Sequence, residues 1–166
     1  MIEMIMRIPL VACCIAIIVS ALSMGGNVRA QPIDDLVIFG DSLSDVGNVG
    51  STFLGQFFIP SENDGDRFSN GPVWAELLAG ELGLSADVFS RGPGPNDDNY
   101  AHGGATSENG TSAIGVTRNL GRQLDDYRAA DAPAAGDLHI LWIGGNDYIN
   151  GQDNTDFPTA NIRSAI

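Results

Sequence analysis

Short apolar runs alternate with stretches of helical periodicity along this chain. Residues Ile33 to Gly40 and Leu138 to Ile143 hold consecutive rather than alternating apolar positions, which is typical of strands covered on both faces of a parallel sheet. A weaker strand is predicted over Ala86 to Ser90. This succession of strands and helices predicts an α/β domain with a parallel sheet. Three segments have apolar residues at helical spacing, and they begin at Pro72, near Thr117 and at Thr155.

The helix predicted after Pro72 carries an apolar face and a clear stop signal. Its apolar face is expected to be Trp74, Leu77, Leu78 and Leu82, and Gly83 is expected to end it. Residues 40–71 and 91–99 are rich in Gly, Asn and Asp and lack periodicity, so they are predicted to be mostly loop.

The N-terminal segment has the pattern of a targeting signal. Ile8 to Met24 contains no charged residue, Arg7 precedes it, and Val28 and Ala30 place small residues before a cleavage point after residue 30. We therefore expect residues 1–30 to be a signal peptide and residues 31–166 to be a domain that is secreted or periplasmic, with no stable membrane insertion after cleavage. The alternative is that the uncleaved segment anchors the protein to a membrane.

Composition narrows the classes of partner and cofactor. The chain has 166 residues, which suits one domain, and a formal net charge of −13, with arginine as its only basic residue apart from histidine. Such an acidic chain without a basic cluster is not expected to bind nucleic acid. Without lysine there is no nucleotide-binding P-loop, and both cysteines lie in the predicted signal. Residues 63–66 are acidic but lack the EF-hand pattern, so we predict neither a metal nor a cofactor.

Polar residues follow the two strongest predicted strands at the point where each one ends. Asp41 and Ser42 come after the first strand, and Asn146 and Asp147 come after the last. Because parallel strands present their carboxyl ends at one edge, these residues are expected to meet there. Ser42 has the setting of a nucleophile and Asn146 that of an oxyanion donor. Taken singly, each is also explained as a helix cap or an Asx turn, and the glycine pair before Ala105 as a tight turn.

Three blocks in order resemble the GDSL family of lipases and esterases, also called SGNH hydrolases. The first block is FGDSLSDVGN over residues 39–48, the second is NYAHGGATS over 99–107, and the third is GGND over 144–147. A further stretch, RFSNGPVW over 67–74, is also similar to one found in many members. The resemblance implies a three-layer α/β/α fold with a flavodoxin-like parallel sheet, of which the C-terminal part is missing here.

The resemblance also implies a role for each matching residue. Ser42 would be the nucleophile that becomes acylated. The backbone N–H groups of Ser42 and Gly104 and the side chain of Asn146 would form the oxyanion hole, with Gly103 replacing Gly104 if the second block is aligned one residue off. Two positions would support the site without carrying protons, and these are Asp41 and Asp147.

The general base that the family places in a late Asp-x-x-His block is missing from these residues. The chain has two histidines, His102 in the second block and His139 inside the last predicted strand. We interpret the first as a loop side chain beside the cleft and the second as packed against a neighbouring element. The base is therefore expected beyond Ile166, which makes the chain the N-terminal part of a longer enzyme and inactive by itself.

Three functions remain open from the sequence. The leading prediction is a secreted serine ester hydrolase, a lipase or esterase that forms an acyl-enzyme on Ser42 and acts on a small-molecule, lipid or carbohydrate ester. The first alternative is an exported binding module that keeps the oxyanion cradle without the base. The second is an acyltransferase that uses the same site.

Overall fold

The computed structural model describes residues 32–87, 99–112, 115–130 and 133–166. The predicted signal peptide therefore lies outside the described residues, as does most of the strand predicted over Ala86 to Ser90. In the part that the structure describes, no helix is both long enough and apolar enough to cross a bilayer. The elements found there are strands β1 (Asp35–Gly40) and β2 (Asp137–Trp142), helices α1 (Trp74–Leu82), α2 (Leu120–Ala130), α3 (Gly145–Ile149) and α4 (Asp156–Ala165), and a short 3-10 helix (Gly55–Phe58).

The two strands lie side by side and run parallel, as predicted. Their register places Asp35 opposite Asp137 and Gly40 opposite Trp142. On the other side of β1, Ile38 forms an isolated parallel bridge with Asn99, the first residue of the second block. The sheet edge where β1 and β2 end is therefore also the edge that the second block reaches.

The consecutive apolar residues of β1 are buried on both faces of the sheet. Leu36 and Ile38 pack into one cluster with Ala75 and Ala79 of α1. Because side chains alternate along a strand, the intervening residues of β1 point to the opposite face.

The opposite face of β1 packs against two other helices. Val37 and Phe39 form a second cluster with Leu120 and Tyr127 of α2, and Ile162 of α4 lies against it. Helices thus cover both faces of a parallel sheet, which is the expected three-layer α/β/α arrangement.

Two details of the helices differ from the prediction. Helix α1 turns Ala75 and Ala79 to the core, whereas Leu77 is 60% exposed, because small side chains four residues apart let the helix lie close to the sheet. The helix expected near Thr117 begins at Leu120. Residues before it form an antiparallel bridge between Thr111 and Arg118, and this bridge keeps Thr117 out of the helix.

One buried side chain attaches α2 to the end of β1. The Gln123 side chain is fully buried, accepts the Gly40 N–H at 2.9 Å and donates to the Gly40 carbonyl at 2.8 Å. One side-chain amide therefore satisfies both the N–H and the carbonyl of Gly40, the last residue of β1.

We predict that Gln123→Leu destabilises the protein by about 2 kcal/mol or more, because it leaves the buried Gly40 N–H without a partner. Urea unfolding provides the measurement. Arg128→Leu on the exposed side of the same helix is the control, expected to change the free energy of unfolding by less than about 0.5 kcal/mol because its pairing with Asp125 is loose, at 3.8 Å. Equal stability of the two variants would contradict this account.

Candidate active site

The ends of β1 and β2 bring the first and third blocks together. A side chain on Gly40 would place its Cβ 2.6 Å from the Trp142 carbonyl oxygen, so the strands approach this closely only because residue 40 is glycine. The Cβ position of Gly145 is 3.8 Å from a carboxylate oxygen of Asp41. The segments that follow the two strands are therefore neighbours at the carboxyl edge of the sheet.

Ser42 lies in a tight turn directly after β1. The Asp41 carbonyl accepts the N–H groups of Ser44 and Asp45, both at 3.0 Å, and the Asp41 carboxylate accepts the N–H of Leu43 at 3.1 Å. Burial raises the pKa of Asp41, and the bond from Leu43 opposes that shift. Ser42 itself is half-buried, and within the described residues neither its hydroxyl nor its N–H makes a hydrogen bond. Both groups are thus available to a substrate.

The Asp45 carboxylate is the centre of the first block. It is fully buried and accepts four backbone N–H groups, from Gly47 at 2.8 Å, Asn48 at 2.5 Å, Val49 at 3.2 Å and Gly103 at 2.7 Å. Burial raises the pKa of Asp45 to about 6, and the four N–H donors act against that rise. The carboxylate holds the first block in its turn and connects it to the second block.

The second block turns sharply at its glycine pair. The Ala105 N–H donates to the His102 carbonyl at 3.0 Å, and Gly104 has a φ of 78°, the value that the third residue of a type II turn requires. A Cβ on Gly103 would lie 2.0 Å from the Phe68 ring. Each glycine is therefore required, the first for space and the second for its backbone angle.

The same turn separates the two candidate oxyanion donors. The Gly103 N–H is already bound to Asp45, so it does not face an empty site. The Gly104 N–H has no hydrogen-bond partner within the described residues. This geometry favours Gly104 over the alternative alignment on Gly103.

The third block is attached to the second by two side chains. Asn146 donates one amide hydrogen to the Ala105 carbonyl at 2.9 Å, which leaves the other free to serve as a donor. Asp147 is buried and accepts the N–H of Ser107 at 2.9 Å and its hydroxyl at 2.6 Å. Two buried carboxylates, Asp45 and Asp147, thus hold the two ends of the loop that contains Gly104.

The structure therefore brings the segments of Ser42, Gly104 and Asn146 to one edge, through hydrogen bonds that join all three blocks. Their chemical roles, and the supporting roles of Asp41 and Asp147, remain predictions. The arrangement offers a hydroxyl and two or three N–H donors, which is what a tetrahedral oxyanion intermediate needs.

Neither histidine is placed to activate Ser42. His102 is 1% exposed, and its Nδ1 lies 2.9 Å from the Tyr100 carbonyl, which assigns the proton to that nitrogen. Desolvation lowers the pKa of His102 to about 4, helped by the charge of Arg118 and opposed by the bond to Tyr100. The imidazole is therefore neutral and occupied in holding the second block.

His139 lies in the middle of β2 and away from the edge. Its Nε2 is 2.8 Å from the Tyr127 hydroxyl, and its ring stacks on Phe39 at 6.4 Å, so it packs against a neighbouring element as expected. It precedes Trp142 by three residues, which corresponds to about 10 Å along a strand.

Polar residues to which the sequence prediction assigned no role hold the blocks together. Asn48 donates to the carbonyls of Asn99 at 2.6 Å and Ala101 at 2.8 Å, and Asn99 donates to the Ser44 carbonyl at 2.9 Å. Asn48 and Asn99 are fully buried. Asn48, Asn99 and Asp45 all lie inside the first and second blocks. That position is the sequence signal that could have identified them as residues that hold the site together.

A cavity of about 430 Å³ lies beside His102, and Phe53, Leu54 and Val116 provide its apolar lining. The adjoining 3-10 helix and the residues just before it leave large apolar side chains in solvent, with Phe53 78% and Phe57 74% exposed. Within the residues that the structure describes, no group of three or more acidic, histidine or cysteine side chains is arranged to hold a metal ion.

A protein-family model and several known proteins match most of this chain. The model of the GDSL-like lipase/acylhydrolase family matches residues 36–166. The chain is similar to the phosphatidylcholine-sterol acyltransferase of Aeromonas hydrophila, with 36% identity over 79% of this chain and 38% of that protein. It is also similar to the secreted effector protein SseJ of Salmonella typhimurium, with 33% identity over 74% of this chain and 28% of that protein.

A third relative is the esterase EstA of Pseudomonas aeruginosa, with 31% identity over 87% of this chain and 26% of that protein. The chain spans less than half the length of each of these three curated relatives.

The state of His102 predicts a pH dependence of stability. The pKa of His102 in the folded protein is about 4, below the ordinary value of 6.5. Between these two pH values the unfolded chain is protonated at His102 and the folded chain is not, so lowering the pH favours unfolding. His102 should therefore lower the free energy of unfolding by about 3 kcal/mol as the pH falls from 6.5 to 4. Above pH 6.5 the imidazole is neutral in both the folded and the unfolded chain, so His102 causes no such loss.

Unfolding free energies of the parent protein and of His102→Asn, which keeps a donor toward Tyr100, provide the test. The difference between the two proteins should shift by about 3 kcal/mol over that pH range. The carboxylates titrate in both proteins, so their contribution cancels in the difference. Parallel pH profiles would show that His102 is not held neutral.

Proposed function

This chain belongs to the GDSL-like lipase/acylhydrolase family, and we propose that it provides the nucleophile and the oxyanion hole of a secreted serine ester hydrolase. The observation that carries the proposal is the free hydroxyl of Ser42 at the edge where the Gly104 N–H and the Asn146 amide also have unused hydrogens. Ester hydrolysis is the chemistry that these groups can perform together.

The reaction follows from the positions of these groups. The Ser42 oxygen attacks the ester carbonyl carbon while its proton passes to a general base, and the carbonyl oxygen becomes an oxyanion held by Ser42 N–H, Gly104 N–H and Asn146. Collapse of this intermediate expels the alcohol, which takes up the proton, and leaves the acyl group on Ser42. Water then attacks the acyl carbon and gives one proton to the base, while the same donors hold the new oxyanion. The bond to Ser42 breaks, the base returns the proton to the Ser42 oxygen, and the acid is released.

The general base of this reaction is neither histidine of the chain. His102 is buried, neutral and bonded to Tyr100, and His139 is bonded to Tyr127 within β2. We assign the base to the Asp-x-x-His pair that the family resemblance implies, outside the residues present here.

An ester with both an apolar and a polar portion suits the cavity beside His102, two residues before Gly104. Phe53, Leu54 and Val116 line this cavity together with the polar Thr52 and Arg118. A signal peptide over residues 1–30 would deliver the protein to the periplasm or the medium.

Acyl transfer is the second candidate, because one relative is named as an acyltransferase. It uses the same acyl-enzyme, with an alcohol in place of water as the acceptor. An exported binding module, which would keep the oxyanion cradle without the base, is the third candidate.

We predict that the full-length protein hydrolyses short p-nitrophenyl esters and is labelled by an organophosphonate, and that Ser42→Ala abolishes both. Asn146→Ala should lower kcat by about 10²–10³-fold, the usual effect of losing one oxyanion donor. The exposed Ser61→Ala is the control and should behave as the parent protein.

The outcomes separate the three functions. Hydrolysis and labelling that persist in Ser42→Ala would refute the assignment of the nucleophile. A parent protein that neither hydrolyses nor reacts would favour the binding module. Esters formed in preference to acid when an alcohol is added would identify the transferase.

A further inference from the structure

The donor that the second block offers depends on the orientation of one peptide group. The Gly103 carbonyl and the Gly104 N–H belong to the same planar trans peptide and point in opposite directions. Whatever holds the carbonyl therefore also directs the N–H. In this structure the Thr117 hydroxyl donates to the Gly103 carbonyl at 2.9 Å, so the Gly104 N–H points away from Thr117.

The turn alone does not select this orientation. Rotating the central peptide of a type II turn exchanges the directions of its carbonyl and N–H and yields a type I turn. Glycine at position 104 accepts φ of either sign with little penalty, so residues 103 and 104 allow both forms. Asp45 and Phe68 restrain the N–H and the Cα of Gly103, but both contacts lie before the peptide that rotates.

Thr117 is itself held firmly by the segment that precedes α2. Its carbonyl accepts the Ser112 N–H at 2.8 Å, and its N–H donates to the Ser112 hydroxyl at 3.2 Å. Next to it, Asn119 accepts the Thr106 N–H at 3.2 Å, and Leu120 donates to the Thr106 carbonyl at 3.1 Å. The segment that carries Thr117 is therefore hydrogen-bonded to the second block at Thr106. Ser42 and Asn146, by contrast, belong to the first and third blocks.

We propose that Thr117 is a positioning residue, which keeps the Gly103–Gly104 peptide in the orientation that presents the Gly104 N–H to the oxyanion. This inference rests on the proposed function for its catalytic meaning, but the orientation of the peptide is a property of the fold. Thr117 touches no reacting atom and acts through Gly104.

The kinetic test uses the full-length protein and two substitutions at one position. Thr117→Val removes the hydroxyl and keeps the shape, and it should lower kcat for p-nitrophenyl esters by about 10–100-fold, part of the 10²–10³-fold effect of losing an oxyanion donor. KM should change less than about twofold, because the ground-state ester carbonyl uses the donor weakly. Thr117→Ser keeps the hydroxyl and should recover kcat to within about threefold of the parent.

Two controls separate positioning from a general loss of structure. Thr111→Val changes an exposed threonine whose backbone forms a bridge with Arg118, the residue after Thr117, and should leave kcat unchanged. In a double-mutant cycle with Asn146→Ala, the Thr117→Val effect should be non-additive, because both substitutions weaken one oxyanion hole. A purely structural effect would instead lower the urea midpoint and would not separate kcat from KM.

Crystal structures of the two Thr117 variants provide a readout that needs no activity. The Gly103 carbonyl should be rotated in Thr117→Val and should keep its parent orientation in Thr117→Ser. An unrotated peptide and full kcat in Thr117→Val would overturn the inference while leaving Ser42 as the nucleophile. An inactive parent protein would refute the proposed function, and the two crystal structures would still decide whether Thr117 orients this peptide.

Discussion

The four hydrogen bonds to the Asp45 carboxylate join the turn after Ser42 to the glycine pair of the second block. Three of them close the turn after Ser42, and the fourth reaches Gly103, 58 residues further along the chain. A buried carboxylate is stable only with such partners, since desolvation otherwise favours its neutral form. The need to satisfy this carboxylate, together with the bonds made by Asn48 and Asn99, thus holds the second block against the first.

The rest of the edge repeats this arrangement with other buried polar groups. Asp147 holds the far end of the second block through Ser107, and Gln123 matches both backbone groups of Gly40. An apolar core would not serve here, because a site that stabilises an oxyanion must keep some backbone N–H groups pointing outward. The buried side chains occupy the N–H groups that the reaction does not need, and the Gly104 N–H stays free within the described residues.

Much of the fold follows from local patterns, and the exceptions have physical causes. The consecutive apolar residues of β1 predicted a strand buried on both faces, and Gly83 ends α1 with a φ of 71° as a helix C-cap should. The expectation that Leu77 faces the core was wrong, because periodicity identifies an apolar stripe but not the depth at which the helix docks. The start of α2 was predicted too early, because the bridge between Thr111 and Arg118 competes with helix formation.

The α/β class, the two strands and the three blocks that carry the candidate Ser42, Gly104 and Asn146 can all be predicted from the sequence alone. These features depend on side-chain period and on residues close together in the chain, which a single sequence displays directly. Three further features appear only in the folded chain: Asp45 accepts the Gly103 N–H, His102 is buried and neutral, and Thr117 donates to the Gly103 carbonyl. Each of these is a hydrogen bond or a burial that arises when segments far apart in the chain are brought together by the register of β1 and β2, and no local pattern encodes that register.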